Sequence, residues 1–187
     1  GAGVYKSSDN GVSWQSSNNG MQSAYIADLA FSNGHLIAAT SNGVYVSNDN
    51  GDSWEVKNNG LTALSCYRIL IAGTTTYLAL SNTRYKSTDW GESWLLTNYS
   101  ATPTGSISGL FIKNNNVYCS NTLDGLKRSS DNGTTWTSLN TGLPTTNIYG
   151  MGTDGNSIFV CLYNDEVYKS INNGSTWTYS GNGLLSG

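Results

Sequence analysis

One eight-residue phrase is written five times: Ser7 to Trp14, Ser47 to Trp54, Ser87 to Trp94, Ser129 to Trp136 and Ser170 to Trp177. The tryptophans that close it stand 40, 40, 42 and 41 residues apart. A period of that length around a fixed phrase means one supersecondary unit copied along the chain, each copy burying its apolar surface against its neighbours. The repeat therefore constrains the fold far more than the activity.

Laying the copies over one another shows what repeats. Between Trp14 and Trp54 the chain reads Ile26 to Phe31, a turn at Ser32-Asn33-Gly34, His35 to Thr40, a turn at Ser41-Asn42-Gly43, Val44 to Val46, the phrase, and then Ser53 to Val56. Short runs rich in β-branched and aromatic residues, punctuated by Asn-Gly, predict four antiparallel strands, A to D, joined by hairpins. No segment carries a helical apolar stripe, and both prolines, Pro103 and Pro144, fall in the connection from D to the next A. Four short strands per repeat predict an all-β chain, a β-propeller of four-stranded blades with strand A nearest a central channel. A β-solenoid is the runner-up, with shorter coils and no reason to keep one Trp per copy.

The phrase itself has the form Ser-x-Asp-x-Gly-x-Ser/Thr-Trp and falls between strands C and D. Asp9, Asp49, Asp89 and Asp131 are placed to accept backbone N–H bonds about two residues onward. Gly11, Gly51, Gly91, Gly133 and Gly174 supply the positive φ such a turn needs. The leading serines Ser7, Ser47, Ser87, Ser129 and Ser170 add a hydroxyl, and Trp14, Trp54, Trp94, Trp136 and Trp177 are expected to fold under the turn and seal one blade against the next.

This phrase resembles the Asp-box, or bacterial neuraminidase repeat, in all five copies, and the repeat unit around it spans essentially the whole chain. Asn172 stands where the family has Asp, and its amide can make the turn bond without charge. Asp-boxes occur in sialidases, other glycoside hydrolases, sortilin-type receptors, photosystem II assembly factors and secreted bacterial proteins. The resemblance implies a structural turn at the periphery of a propeller, away from the channel where ligands bind. It implies the fold and not the job.

Strand A starts at Ile26, Cys66, Ile107 and Ile148, while Gly3 to Ser7 reads as a strand C without its A and B. The expected organisation is a single propeller segment: a half blade over 1–20, then blades over about 21–60, 61–102, 103–142 and 143–183. Residues 184–187 would start a connector to a further blade, since Gly183-Leu184 repeats Gly20-Met21, Gly60-Leu61 and Gly142-Leu143. Bare strand edges at both ends are a liability, so the rest of the propeller is expected from the same chain or from a second one.

Charged residues make up only 11% and the net charge is -3. That gives no footprint for nucleic acid or an anionic membrane, and no stretch of about 18 apolar residues suggests membrane insertion. Such a composition fits a secreted, cell-surface or periplasmic protein. Cys66, Cys119 and Cys161, odd in number, are expected as buried small hydrophobes within strands A and B. Asn98, Asn132 and Asn173 open glycosylation sequons. One histidine, His35, reads as a solvated turn residue, and no metal or cofactor has support in the ligand spacings.

A sialidase would need three arginines gripping a carboxylate. Arg68, Arg84 and Arg128 fall on different strands, the Arg-Ile-Pro motif is absent, and the copies differ too little in length to supply a catalytic wall. The residues therefore favour a non-catalytic recognition or scaffolding module for a protein or glycan. Part of a sialidase-like glycoside hydrolase, with catalytic residues mostly outside this stretch, is the alternative. Candidate contacts are Trp90, which replaces the Asn of the other turns and would otherwise pack on Tyr99; Tyr25, Tyr67 and Tyr149 near the start of strand A; and Asp28 with Arg68, facing the channel or forming a salt bridge there.

Overall fold

A computed structural model describes residues 3–22, 25–80, 83–97, 107–164 and 166–183. Sheet 1 holds β1 (Tyr5–Lys6) and β2 (Gln15–Ser16). Sheet 2 holds β3 (Ile26–Ser32), β4 (His35–Thr40), β5 (Gly43–Ser47) and β6 (Glu55–Val56). Sheet 3 follows with β7 (Cys66–Ala72), β8 (Thr75–Leu80), β9 (Arg84–Ser87) and β10 (Leu95–Leu96). Sheet 4 is β11 (Ile107–Lys113), β12 (Asn116–Asn121), β13 (Gly125–Ser129) and β14 (Thr137–Ser138); sheet 5 is β15 (Ile148–Thr153), β16 (Ile158–Leu162), β17 (Val167–Ser170) and β18 (Thr178–Tyr179). Every pairing is antiparallel between chain neighbours, and no helix occurs among the described residues. Sheets 1 to 3 lie in one compact unit, residues 1–97, and sheets 4 and 5 in a second, residues 98–187. Tyr99, Pro103, the Asn98 sequon and Leu184 fall outside the described residues.

The expected hairpins form where the turn chemistry asks for them. Between β3 and β4, Asn33 and Gly34 both take positive φ, 54° and 84°, which lets Ser32 pair with His35 across a two-residue loop. Each first strand also carries an irregularity near its start: the register shifts between Ile26 and Asp28, Cys66 and Arg68, Ile107 and Gly109, and Ile148 and Gly150. One extra residue is thereby turned out of the ladder in each copy.

Within each unit the sheets stack face to face, first strand beside first strand. In the first unit Ile37, Ala39, Val44 and Val46 of sheet 2 pack on Cys66, Ile69, Leu78, Leu80, Tyr85 and Trp94 of sheet 3. In the second, Tyr118, Leu126 and Leu139 meet Ile148, Ile158, Val160, Leu162 and Trp177. Three tryptophans lie between sheets: Trp54 packs with Val4 of sheet 1 and Ala38 and Tyr45 of sheet 2 and its indole N–H donates to the Ser17 carbonyl at 2.8 Å, while those of Trp94 and Trp177, in the two clusters above, donate to Lys57 at 2.9 Å and Leu139 at 2.7 Å. Each acceptor lies three residues beyond the preceding tryptophan.

Trp14 departs from the pattern. It is 62% exposed, and its indole N–H turns back to its own turn at the Gly11 carbonyl, 3.2 Å away. Trp136 makes the same local bond to Gly133. The cysteine expectation also needs a correction: Cys66 and Cys119 are buried, but Cys161 is exposed. Its position on β16 matches Ala39 and Ser120, but no following sheet covers it among the described residues.

Candidate functional site

The repeated turn is a closed hydrogen-bond device. In sheet 2 the Gly51 N–H donates to Ser47 Oγ at 2.8 Å, the Ser53 N–H to Asp49 Oδ1 at 2.9 Å, and the Ser53 hydroxyl to Asp49 Oδ2 at 2.5 Å. Ser7 with Asp9, Ser87 with Asp89 and Ser129 with Asp131 repeat it. The carboxylate thus reaches four residues onward rather than two. Its reach is set by two successive left-handed residues, Asn50 at φ 57° and Gly51 at 89° in sheet 2, which curl the chain back over the side chain. Asn172 makes the same bonds without charge, taking the Thr176 N–H at 2.9 Å and giving its amide N–H to the Thr176 hydroxyl at 2.8 Å.

These carboxylates are committed to structure. Hydrogen bonds from the Ser13 hydroxyl and backbone, then from Ser7, hold Asp9 down at about 2; those from Ser53 and Ser47 do the same for Asp49, and those from Thr135 and Ser129 for Asp131. At Asp89 burial pushes upward, but the bonds from Ser87 and Ser93 outweigh it and the carboxyl is lowered. An ordinary Asp in the unfolded chain titrates near ~4. A depressed folded value means that the stabilisation is present above about pH 4 and is lost as pH falls toward about 2. The melting temperature is therefore expected to drop between those limits. A triple Asp9→Asn, Asp49→Asn, Asp131→Asn variant, built on the Asn172 precedent, is expected to flatten the drop. Thermal melts from pH 6 to 2 check this; an unchanged acid dependence in the triple variant would remove the assignment.

The remaining candidates sort themselves by position. Tyr67 and Tyr149 are the turned-out residues at the irregularities of β7 and β15, and both are exposed; Tyr25 precedes β3 and is exposed too. Tyr149 lies against Tyr163, ring centroids 5.5 Å apart. Asp28 and Arg68 hold equivalent places opposite Ala39 and Ala79, but they form no ion pair among the described residues. Asp28 Oδ2 instead accepts the Ile69 N–H at 3.1 Å, tying β3 to β7, and Oδ1 accepts the Leu29 N–H. A carboxylate that can reach backbone donors on the next sheet gains charge-assisted bonds. Arg68 is left exposed at the start of β7.

Trp90 is not the open ring its place in a turn suggested. It is half-buried and stacks on His35, centroids 4.5 Å apart and planes 12° from parallel, while His35 Nδ1 sits 2.6 Å from Asn48 Oδ1. His35 is correspondingly half-buried beneath an aromatic face rather than solvated. Trp90 also keeps φ at 59°, a conformation that costs a bulky residue about 1–3 kcal/mol. A stacked pair returns about 0.5–1.5 kcal/mol, so the stack offsets part of that strain.

Arg84 is buried on β9, its guanidinium reaching the carbonyls of Thr83 and Leu80, and Arg128 lies on β13 opposite Tyr118 and Thr137. The Cys66 thiol is pushed up to about 12 by burial, which removes it as a nucleophile. Among the described residues no three His, Cys, Asp or Glu side chains come together to hold a metal. A polar groove of about 250 Å³ is lined by Lys6, Ser8, Ser13, Gln15, Ser16 and Asp52, and Lys6 and Asp52 neutralise each other there at 2.8 Å.

No family model and no curated protein matches the sequence. Solved structures do. An ancestral GH74 enzyme superposes on 99% of this chain and 29% of its own, with TM-score 0.81 and 17% identity. The extracellular domain of the putative one component system BT4673 from B. thetaiotaomicron matches 95% of the chain and 25% of its own, with TM-score 0.73 and 16% identity. YCF48 bound to D1 peptide matches 86% of the chain and 56% of its own, with TM-score 0.68 and 15% identity. The chain thus spans between a quarter and somewhat over half of these proteins. Repeated four-stranded antiparallel sheets, stacked first strand to first strand, and these likenesses together show an all-β chain of the β-propeller fold.

Proposed function

We propose that this chain is a non-catalytic recognition module of a secreted or cell-surface protein, built on Asp-box blades and binding a peptide or glycan through its first strands. The observation that carries the reading is the pair of exposed tyrosines, Tyr25 and Tyr67, at the same end of neighbouring first strands, with exposed Arg68 beside them. Aromatic faces stack on sugar rings or peptide side chains, and a guanidinium picks out carboxylates. The Asp28 bond to Ile69 fixes the spacing of the two strands, so the surface is held before a ligand arrives. The likeness to a propeller solved with a bound peptide, and to an extracellular sensor domain, supports the same reading. Trp90 serves as a latch between sheets 2 and 3, with its ring taken up by His35.

Binding to immobilised glycans and to a peptide library tests the proposal. Tyr67→Ala with Arg68→Ala is expected to weaken the best ligand tenfold or more. Trp90→Asn, the residue found in the other four turns, is expected to leave binding unchanged. The likeness to GH74 enzymes keeps a glycoside hydrolase role as the second reading. Release of fluorophore from aryl glycosides above the rate of a heat-treated sample would favour it and sink the first.

A further inference from the structure

Nine Asn-Gly pairs stand in this chain. The pair is chemically reactive as well as conformationally useful: the glycine amide nitrogen can attack the side-chain carbonyl carbon of the asparagine, and glycine has no side chain to block the approach. Which of the nine react in the folded chain is decided by what holds the peptide link between the two residues.

Four pairs lie in the repeated turns, and there the attacking atom is engaged. The Gly11 N–H donates to Ser7 Oγ at 2.7 Å, that of Gly51 to Ser47 Oγ at 2.8 Å, that of Gly133 to Ser129 Oγ at 2.7 Å and that of Gly174 to Ser170 Oγ at 2.8 Å. In the connectors the carbonyl of the link is held instead: the Trp54 N–H donates to the Asn19 carbonyl and the Trp94 N–H to that of Asn59, both at 2.9 Å. Gly43, after Asn42, is buried with its N–H on the Leu64 carbonyl at 2.7 Å. Asn182 adjoins residues outside those described.

Asn33 and Gly34 have neither hold. They form the two-residue turn between β3 and β4, both are exposed, and among the described residues nothing bonds the Gly34 N–H or the Asn33 carbonyl. A Cβ placed on Gly34 would meet no atom within 4 Å beyond its chain neighbours. Conformation does not set the pair apart, because its φ values of 54° and 84° match the 57° and 87° of Asn10 and Gly11. The corresponding turns of sheets 3 and 4 lack the pair, with Gly73-Thr74 and Asn114-Asn115 in its place.

We propose that Asn33 is a site of spontaneous backbone modification in the folded protein, converting to isoaspartate and aspartate. Hydroxide takes the Gly34 amide proton, the nitrogen bonds to Asn33 Cγ, and ammonia leaves, giving a five-membered cyclic imide. Water then opens the imide: breaking the bond from nitrogen to the main-chain carbonyl carbon gives isoaspartate, and breaking the bond to Cγ gives aspartate. One water is gained and one ammonia lost, and nothing is oxidised or reduced. Isoaspartate carries the main chain through its side chain, so it adds an atom to a loop whose two residues set the pairing of Ser32 with His35. It also places a carboxylate two residues from His35, whose ring carries the Trp90 stack. This chemistry is independent of the Tyr25–Tyr67 surface, and ligand binding there can fail without touching it.

The test is to hold the folded 187-residue chain in mildly alkaline buffer beside a denaturant-unfolded sample and to follow each pair by peptide mapping, where every conversion adds one dalton. In the folded chain Asn33 is expected to convert at least tenfold faster than Asn10, Asn50, Asn132 or Asn173, and unfolding is expected to erase the difference. Ser7→Ala, which removes the acceptor of the Gly11 N–H, is expected to raise the Asn10 rate severalfold. Conversion of Asn33 as slow as that of Asn10 in the folded chain, or a tenfold preference that survives unfolding, would overturn the proposal. So would an Asn10 rate that Ser7→Ala leaves unmoved.

Discussion

Replacing Trp94 with alanine is expected to cost about 3–5 kcal/mol. The ring is 2% exposed at the centre of the cluster joining sheets 2 and 3, so its removal forfeits the transfer energy of the indole and leaves a cavity that the surrounding sheets close only in part. It also strips the Lys57 carbonyl of the indole N–H it accepts at 2.9 Å. A loss of that size is a large fraction of the stability of a domain, and in a chain of this length it lowers the melting temperature by on the order of 10 °C. The chain carries its own control. Trp14 closes the same turn with the same chemistry but is 62% exposed and its indole N–H bonds within its own turn, so Trp14→Ala is expected to stay within about 0.5 kcal/mol. Denaturant melts of the two variants read the difference directly; equal losses would mean that the tryptophans stabilise the turns and not the contacts between sheets.

The same contrast shows which parts of the structure a single sequence can carry. Hairpins, turn glycines and the neutral substitute Asn172 were legible because each depends on residues a few positions apart, where Asn-Gly pairs and hydroxyl-carboxylate spacings act directly on the backbone. The reach of the aspartates was misjudged by two residues, because two left-handed residues in succession tighten the turn more than one would. Asn18, Asn58 and Asn140 escaped notice, although each lies four residues after a tryptophan and its side-chain oxygen accepts a backbone N–H where the third strand of the repeat begins, from Val4, Val44 and Leu126. Their period was the available signal; in a polar connector rich in Asn it does not stand out.

Candidate-site geometry was less legible because it rests on contacts between copies that do not repeat. The stack of Trp90 on His35 joins two sheets through residues 55 positions apart, and no other copy has either side chain at its place. Asp28 and Arg68 hold equivalent places opposite Ala39 and Ala79, yet opposite charge did not decide their partners. Backbone donors at Leu29 and Ile69 lay within reach of the Asp28 carboxylate and were already fixed by the ladder, while an exposed arginine would have to give up side-chain freedom to compete. The turned-out tyrosines at 67 and 149 follow from the irregularity that every first strand carries, a feature of register with no mark in composition.

Gly60→Ala is expected to be nearly as damaging as the loss of Trp94, through the backbone. Gly60 follows β6 in the connector and holds φ at 90°, where a side chain costs about 1–2 kcal/mol. A Cβ there would also run into the carbonyl oxygen of Trp94, because the connector presses on the next sheet: the Trp94 N–H donates to the Asn59 carbonyl at 2.9 Å. Neither partner can yield cheaply. One is main chain beside a buried ring and the other is locked by the Leu61 N–H bond to the Asn58 carbonyl at 3.0 Å. Overpacking of this kind adds about 1–3 kcal/mol, bringing the expected loss to about 2–5 kcal/mol. Gly142 separates the two contributions, because it keeps φ at 93° while its added Cβ would stand 3.7 Å from the nearest atom of Trp177. Gly142→Ala should therefore lose only the conformational part. Chemical denaturation of both variants decides the matter: if they lose the same amount, close approach between connector and sheet contributes nothing, and glycine is required at the end of each repeat for its φ alone.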